Sequence, residues 1–282
     1  MSFTLMNEWA CLPLECSDSD RDACNQERNL VAQCLQASKR VYEENGETAP
    51  DGFEKLDFRV EWKMGDSGVC KASLYKKERD GKKPLVIVAF RGTQFSKLHQ
   101  WKDNILGWVG VSCGERNAAD FARKVNEQYP QADVVFTGHS KGGAEAIVAA
   151  ATVGGHAIVF NPRRVAGRTL LRHATGNPNI RIHRVEGELF GGLDLPTVVG
   201  GGLGGPILGK VFSGFLNVTL TAALELCETE KKPCNTELEV EVRVCEYALP
   251  NAGPVTAHSI EGMERAFDKD KNPRLGREIW IF

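Results

Sequence analysis

The residues most able to do chemistry lie in one short segment, residues 138–142, which reads GHSKG and fits the pattern G-x-S-x-G. An apolar run precedes it at residues 133–137, and small residues with helical spacing follow at 143–153. A serine at a sharp turn between a strand and a helix projects its Oγ outward, as a hydrolase nucleophile must. We therefore expect Ser140 to attack an ester carbonyl.

The flanking glycines fit the same interpretation. Gly138 and Gly142 lack side chains, so the strand and the helix can approach each other closely around the serine. The N-terminal end of the following helix would also stabilise a developing oxyanion. An ordinary glycine-rich turn is the alternative, and the strand and helix patterns on either side disfavour it.

A serine hydroxyl is a weak nucleophile and needs a histidine base. Of the six histidines, His258 has the most suitable setting. It follows a Gly-, Pro- and Thr-rich stretch, residues 251–257, which we interpret as a loop, and precedes a helical run at 259–267. It also lies late in the chain, as the hydrolase order serine, acid, histidine requires. His139 is expected to point away from the Ser140 hydroxyl.

The base needs a carboxylate partner, which should follow a strand between the serine and the histidine. Residues 180–185 have a strand pattern, and acidic residues follow at 186, 188 and 194. We favour Glu188 because Gly187 permits a sharp exit from the strand. Asp194 is the alternative acid.

Two backbone N–H groups are expected to bind the oxyanion. One belongs to Lys141, the residue after the nucleophile. The other would follow the apolar run at residues 84–90, where the chain reads FRGT at 90–93. Gly92 would let the backbone turn inward, so the N–H of Thr93 could face the serine.

Hydrophobic periodicity predicts elements that alternate along the chain. The predicted helices are 25–44, 118–129, 143–153 and 259–267, and the predicted strands are 58–62, 68–75, 84–90, 133–136, 157–160 and 180–185. We expect the first two strands to be antiparallel and the others to be mainly parallel. The fold class is α/β, with helices on both faces of a mostly parallel central sheet.

We expect one domain over residues 1–282. Its predicted parts are an N-terminal helix and strands (1–80), a core with the serine turn (84–185), a flap or lid insertion (190–235), and a C-terminal strand and helix with the histidine (236–282).

The flap is predicted from residues 191–214, which contain nine glycines and two prolines. A buried irregular connector is the alternative. The glycine and proline content disfavours a transmembrane helix. A G-x-G-x-x-G pattern begins at Gly200 but follows no strand, and Val211 replaces the hydroxyl residue of a phosphate loop after Lys210. No nucleotide or other cofactor is predicted.

Composition excludes other classes of function. The 35 basic and 37 acidic residues give a net charge of −2, which does not favour nucleic acid as a partner. Residues 1–14 lack a basic n-region, so synthesis in the cytoplasm without a secretory signal is expected. The nine cysteines contain no C-x-x-C pair, and no metal site is predicted. Cys227 and Cys234 could close a short loop as a disulfide, which would indicate an oxidising compartment; nine buried thiols are the alternative.

At these residues the chain resembles the class 3 lipases of the α/β-hydrolase superfamily. The matching segments are FRGT at 90–93, Trp101 with Asp103 and Asn104, GHSKGG at 138–143 and HSIEGME at 258–264. The stretch VEGEL at 185–189, with the glycine-rich segment after it, is similar to bacterial phospholipase effectors of contact-dependent, type VI-like secretion systems. The resemblance extends over about residues 85–267.

The resemblance implies a Ser140, His258 and Glu188 triad with an oxyanion hole formed by the amides of Thr93 and Lys141. It also implies hydrolysis of membrane phospholipid, transient membrane contact through the flap, and secretion into the periplasm or membrane of a target cell. The implied protein partners are an immunity protein and the secretion machinery.

Two departures from the lipase pattern are relevant. The acid is usually an aspartate, whereas Glu188 stands here. Lys141 replaces a common leucine, and its cation could attract an anionic headgroup or simply lie in solvent at the start of the helix.

Two other functions remain open from the sequence. A soluble esterase or triacylglycerol lipase would use the same triad. A membrane-perturbing protein with a vestigial hydrolase site would not depend on Ser140.

Overall fold

An eight-stranded sheet organises the part of the chain that the computed structural model describes, residues 21–43, 48–57, 70–92, 113–165, 167–188, 239–269 and 273–281. Its strands lie side by side in chain order. They are β1 (Glu54–Leu56), β2 (Ala72–Lys77), β3 (Leu85–Phe90), β4 (Asp133–His139), β5 (His156–Phe160), β6 (Asn179–Val185), β7 (Glu239–Tyr247) and β8 (Arg274–Ile281).

The five strands from β3 to β7 are parallel to one another, and the pairs β1–β2, β2–β3 and β7–β8 are antiparallel. All six residues of β3 are buried, as expected of a strand covered on both faces. The carboxyl ends of β4 and β6 therefore open onto the same edge of the sheet, where the predicted nucleophile and acid follow.

Six helices are present in the described ranges: α1 (Arg21–Arg40), α2 (Cys113–Gln128), α3 (Lys141–Val153), α4 (Gly167–His173), α5 (Pro254–His258) and α6 (Ile260–Lys269). Apolar side chains alternate between the two sheet faces because neighbouring strand residues point in opposite directions. Val31 of α1 and Met263 of α6 share one core cluster with Ile87. Ala122 of α2 and Ile147 of α3 share the other with Val88. The predicted α/β fold, with helices on both faces of a mostly parallel sheet, is confirmed.

Several predicted boundaries differ from the structure. Helix α1 lies four residues earlier than predicted at each end, and α2 begins at Cys113, five residues early. Strand β2 lies two to four residues later than the predicted 68–75, and β4 continues to His139. The interpretation of 251–257 as a loop is wrong for its second half, because α5 begins at Pro254. Proline is favourable in the first turn of a helix, where no N–H partner is required.

Some predictions fall outside the described residues. These are the strand 58–62, Thr93 of the oxyanion hole, the alternative acid Asp194, the flap at 190–235 and the Cys227–Cys234 disulfide. Among the described cysteines, Cys34, Cys70 and Cys245 are buried, whereas Cys24 is disulfide-bonded. The alternative of nine buried thiols is therefore wrong, because Cys24 is not a thiol.

None of the helices in the described ranges is both long and apolar enough to cross a membrane.

Candidate active site

Ser140 occupies the corner between β4 and α3, with φ 56° and ψ −121°. A side chain at positive φ costs on the order of 1–3 kcal/mol, so surrounding contacts must hold it. The Ser140 N–H donates to the Phe160 carbonyl at 3.2 Å. Its own carbonyl accepts from the N–H groups of Ala144 at 3.2 Å and Arg163 at 3.0 Å. The strained corner is thus fixed from both sides.

Close backbone contact explains the glycines around this corner. A Cβ on Gly138 would lie 2.4 Å from the Gly142 carbonyl, and one on Gly142 would lie 2.2 Å from the Phe90 oxygen. A Cβ on Gly143 would lie 2.9 Å from the Pro162 side chain. Such distances are far below ordinary contact, so larger residues would push strand and helix apart.

The structure brings Ser140, His258 and Glu188 together from three separate elements. His258 Nε2 lies 3.0 Å from Ser140 Oγ, and His258 Nδ1 lies 2.5 Å from Glu188 Oε2. The three residues are 5%, 1% and 7% exposed, respectively. The Glu188 carboxylate therefore interacts with the imidazole largely away from water.

The partners fix the roles of the two ring nitrogens. An ionised carboxylate can only accept, so Nδ1 of His258 carries the proton and donates to Glu188. Nε2 then accepts from the Ser140 hydroxyl. In this tautomer the imidazole can remove the serine proton, and the carboxylate can stabilise the imidazolium that forms.

Glu188 reaches His258 because the chain turns sharply after β6. The N–H of Glu186 donates to the Tyr247 carbonyl, and the N–H of Glu188 donates to the Val185 carbonyl at 3.2 Å. Gly187 between them has φ 73°, a conformation that favours glycine.

His258 is the last residue of α5, and two side chains hold its main-chain carbonyl. His139 Nε2 donates to it at 2.6 Å, and Asn161 Nδ2 donates at 3.2 Å. The Tyr42 hydroxyl lies 3.2 Å from the other ring nitrogen of His139. Asn161 and Tyr42 were not predictable from the sequence, because no local pattern relates them to His258.

Of the two predicted oxyanion donors, Lys141 lies in the described part of the chain and Thr93 lies outside it. Lys141 is the first residue of α3, and the first N–H groups of a helix project from its N-terminal end. Gly92 packs closely against the elbow, since a Cβ there would lie 2.1 Å from Tyr42 Oη and 2.5 Å from the His139 carbonyl oxygen. The chain after β3 therefore passes beside the nucleophile before it reaches Thr93.

The Lys141 side chain is not in solvent. Lys141 is 7% exposed, and its Nζ lies 3.0 Å from a carboxylate oxygen of Glu145, one turn along α3 and fully buried. The alternative of a solvated helix start is therefore wrong, since the ammonium group of this buried lysine is paired with a carboxylate and not with water.

Within the described ranges, no three His, Cys, Asp or Glu side chains are grouped so that they could hold a metal ion.

Solved structures with similar chains include fungal lipases. One is a fungal lipase–inhibitor complex described as a model for interfacial activation. It has 17% sequence identity and a TM-score of 0.44, and the match covers 62% of this chain and 77% of that chain. Another is a mutant form of MDLA from Penicillium cyclopium, with 17% identity and a TM-score of 0.39; the match covers 65% of this chain and 77% of that chain. A third fungal lipase has 13% identity and TM-score 0.40, over 93% and 87%.

No curated protein sequence matches the chain. Residues 34–220 match a family described as phospholipase-like, the Tle-like phospholipase domain. That match spans more than half of the chain and includes Ser140 and Glu188. The chain therefore belongs to the Tle-like phospholipase domain family and is a carboxylic ester hydrolase.

Proposed function

We propose that the protein hydrolyses acyl esters of membrane phospholipids through a catalytic triad of Ser140, His258 and Glu188. The observation that carries the proposal is the buried hydrogen-bonded series from Ser140 Oγ through the His258 ring to the Glu188 carboxylate. Membership of a phospholipase-like family supports the class of substrate.

In the proposed reaction, Ser140 Oγ attacks the ester carbonyl while His258 Nε2 takes the hydroxyl proton. Backbone N–H groups of Lys141 and Thr93 stabilise the oxyanion. His258 returns the proton to the leaving alcohol, which leaves an acyl group on Ser140. A water molecule then repeats the sequence, and fatty acid is released.

The apolar, glycine-rich residues 190–235 serve in this proposal as a flap that contacts the lipid surface or covers the acyl chains. The composition of residues 191–224 supports it, since only Asp194 and Lys210 are charged there and would oppose contact with hydrocarbon. Removal of the flap would be expected to reduce hydrolysis of vesicles more than hydrolysis of a short soluble ester.

The direct test uses purified wild type, Ser140→Ala and a control, Ser73→Ala, in β2. Each is incubated with phospholipid vesicles and with triglyceride emulsion, and released fatty acid and lyso-lipid are measured by mass spectrometry. We expect lyso-lipid from wild type and Ser73→Ala, and none from Ser140→Ala. Release from triglyceride alone would instead establish a triacylglycerol lipase.

We further propose that the enzyme is an antibacterial effector delivered to the periplasm or membrane of a target cell. The similarity of VEGEL at 185–189 to bacterial phospholipase effectors motivates this role, and the disulfide-bonded Cys24 fits an oxidising compartment. In a bacterial host, the form exported to the periplasm should stop growth and the cytoplasmic form should not. Equal toxicity of exported wild type and exported Ser140→Ala would favour a membrane-perturbing protein.

A producer cell would need protection from such an enzyme. We propose that an immunity protein in the producer cell binds the enzyme. The secretion machinery that delivers the enzyme is a second proposed partner. Producer genes that restore growth to the sensitive host, and whose products inhibit purified enzyme, would identify this partner. Growth restored without enzyme inhibition would contradict direct immunity.

A further inference from the structure

Asn161 connects the structural elements that carry the three proposed catalytic residues. It is the first residue after β5, is 0% exposed and has φ 41°. Its backbone N–H donates to the His183 carbonyl at 2.8 Å, and its Oδ1 accepts from the Val185 N–H at 2.9 Å. Both contacts are to β6, the strand that leads to Glu188.

The other half of the Asn161 carboxamide reaches α5. Nδ2 donates to the carbonyls of Ala257 at 3.0 Å and His258 at 3.2 Å. These partners fix the orientation of the amide, since the Val185 N–H needs an acceptor and the two carbonyls need a donor. One side chain thus joins the strand of the acid to the helix of the base.

The neighbours of Asn161 bind the nucleophile. Phe160, before it, accepts from the Ser140 N–H, and Arg163, two residues after it, donates to the Ser140 carbonyl. A single short segment therefore contacts the backbone of Ser140 and His258 and the strand before Glu188. Displacement of this segment would change the distances within the triad.

We propose that Asn161 is a positioning residue, whose carboxamide sets the separation between His258 and Glu188 and holds the imidazole in line with Ser140. The inference rests on the proposed function of the triad. Misplacement of reacting groups by about 1 Å costs on the order of 100-fold in rate, so loss of these hydrogen bonds should slow the reaction of Ser140.

The test measures the rate at which a fluorophosphonate ester labels Ser140, because this covalent reaction needs the activated serine but no lipid surface. Asn161→Gly removes the carboxamide and keeps a residue that tolerates positive φ. We expect its labelling rate to fall about 10- to 100-fold. Asn251→Gly is the matched control, since Asn251 also has positive φ, 64°, but is exposed; it should label at the wild-type rate.

Asn161→Asp separates positioning from general structural support. One carboxylate oxygen of the aspartate can still accept from the Val185 N–H. The other takes the place of Nδ2 and faces the carbonyl oxygens of Ala257 and His258. In its charged form this oxygen repels both, whereas its protonated form can donate to one. Burial raises the pKa of such a carboxyl. We therefore measure the ratio of the Asn161→Asp labelling rate to the wild-type rate. This ratio should be about threefold higher at about pH 5.5 than at about pH 8.

A destabilised variant remote from the site controls for a loss of stability. Val125→Ala, near the end of α2 and in the core cluster on the sheet face opposite α5 and α6, should lower the melting temperature without slowing the labelling. Labelling of Asn161→Gly at the wild-type rate would overturn the inference. So would a pH-independent ratio for Asn161→Asp. If that variant does not fold, Asn161→Gly decides.

Failure of the proposed function gives a different result. If wild type is not labelled at Ser140, the triad itself is not assembled for catalysis. If wild type is labelled and both Asn161 variants match it, only the positioning role is wrong.

Discussion

The side chain of His139 hydrogen-bonds the main-chain carbonyl of His258, with 2.6 Å between Nε2 and the oxygen, although 119 positions separate them in the chain. A carbonyl can only accept, so Nε2 of His139 carries the proton and Nδ1 is left to accept from the Tyr42 hydroxyl. This arrangement requires a neutral His139. Burial, with a smaller effect from His258 nearby, lowers the pKa of His139 to about 3.

This lowered pKa predicts that acid destabilises the protein through His139. The unfolded chain takes up a proton near pH 6.5, whereas folded His139 does so only near pH 3. The stabilisation is therefore fully present above about pH 6.5 and is lost as the pH falls toward 3. Within that window His139 should contribute up to about 1.4 kcal/mol per pH unit to the fall in the free energy of unfolding.

Urea unfolding of wild type and His139→Gln at several pH values between about 6 and about 4 checks this prediction. The glutamine amide can still donate a hydrogen bond but does not titrate there. Burial also lowers the pKa of His183, so wild type should retain other pH dependence, and only the difference in slope reports His139. Equal slopes for the two proteins would contradict the assignment.

Activity should depend on both the negative charge and the side-chain length of Glu188. Glu188→Gln is expected to lower kcat on the order of 10³- to 10⁴-fold, because the amide no longer stabilises the imidazolium. Glu188→Asp keeps the charge but shortens the reach, and should lose about 10- to 100-fold. Glu186→Gln is the control, since Glu186 is exposed and pairs with Arg274. If Glu188→Gln keeps full activity while Asp194→Asn loses it, the alternative acid is the correct one.

Gly142 should not tolerate alanine. The added methyl would lie 2.2 Å from the Phe90 carbonyl oxygen. That oxygen is a backbone atom of β3, so it cannot move away without displacing the strand. We expect a loss of about 3 kcal/mol in the free energy of unfolding, measured with urea. Gly253→Ala is the matched control, because no atom lies within 4 Å of a Cβ at Gly253. A Gly142→Ala variant as stable as that control would refute the steric argument.

The turn that carries Ser140 could be predicted because its signals are local. An apolar strand, small residues and helical spacing occur within about 20 consecutive positions, and close approach of strand and helix determines the residue types. The α/β fold followed from the same kind of pattern, since buried parallel strands are continuous apolar runs. The turn after β6 was also predictable, because Gly187 adopts the positive φ that its residue type permits.

The contacts that hold the site were not predictable in the same way. Tyr42 meets His139, and Asn161 meets His258, across 97 positions in each case, and neither contact leaves a periodic signal. Helix α5 was interpreted as a loop because its residues have low helix propensity, which packing overrides. For Lys141 the sequence left headgroup attraction and a solvated helix start as alternatives, and only the fold shows the buried carboxylate one turn away.

The buried ion pair between Lys141 and Glu145 bears on substrate choice. An ammonium group that already lies 3.0 Å from a carboxylate is electrostatically compensated. It should therefore attract an anionic lipid headgroup much less than an exposed lysine would. The role of Lys141 is then to neutralise Glu145 inside α3, next to the nucleophile.

Breaking this pair should destabilise the protein without changing headgroup preference. Lys141→Leu leaves the Glu145 carboxylate buried and uncompensated, which should cost about 3–5 kcal/mol in urea unfolding, whereas Lys141→Leu/Glu145→Leu should recover most of that loss. The exposed pair of Asp120 and Arg123 is the control, and Asp120→Ala should change stability little. The double variant should hydrolyse anionic and zwitterionic phospholipid vesicles in the wild-type ratio. A ratio shifted toward zwitterionic lipid would instead assign Lys141 to headgroup recognition, because only a cation that reaches the substrate can contribute that difference.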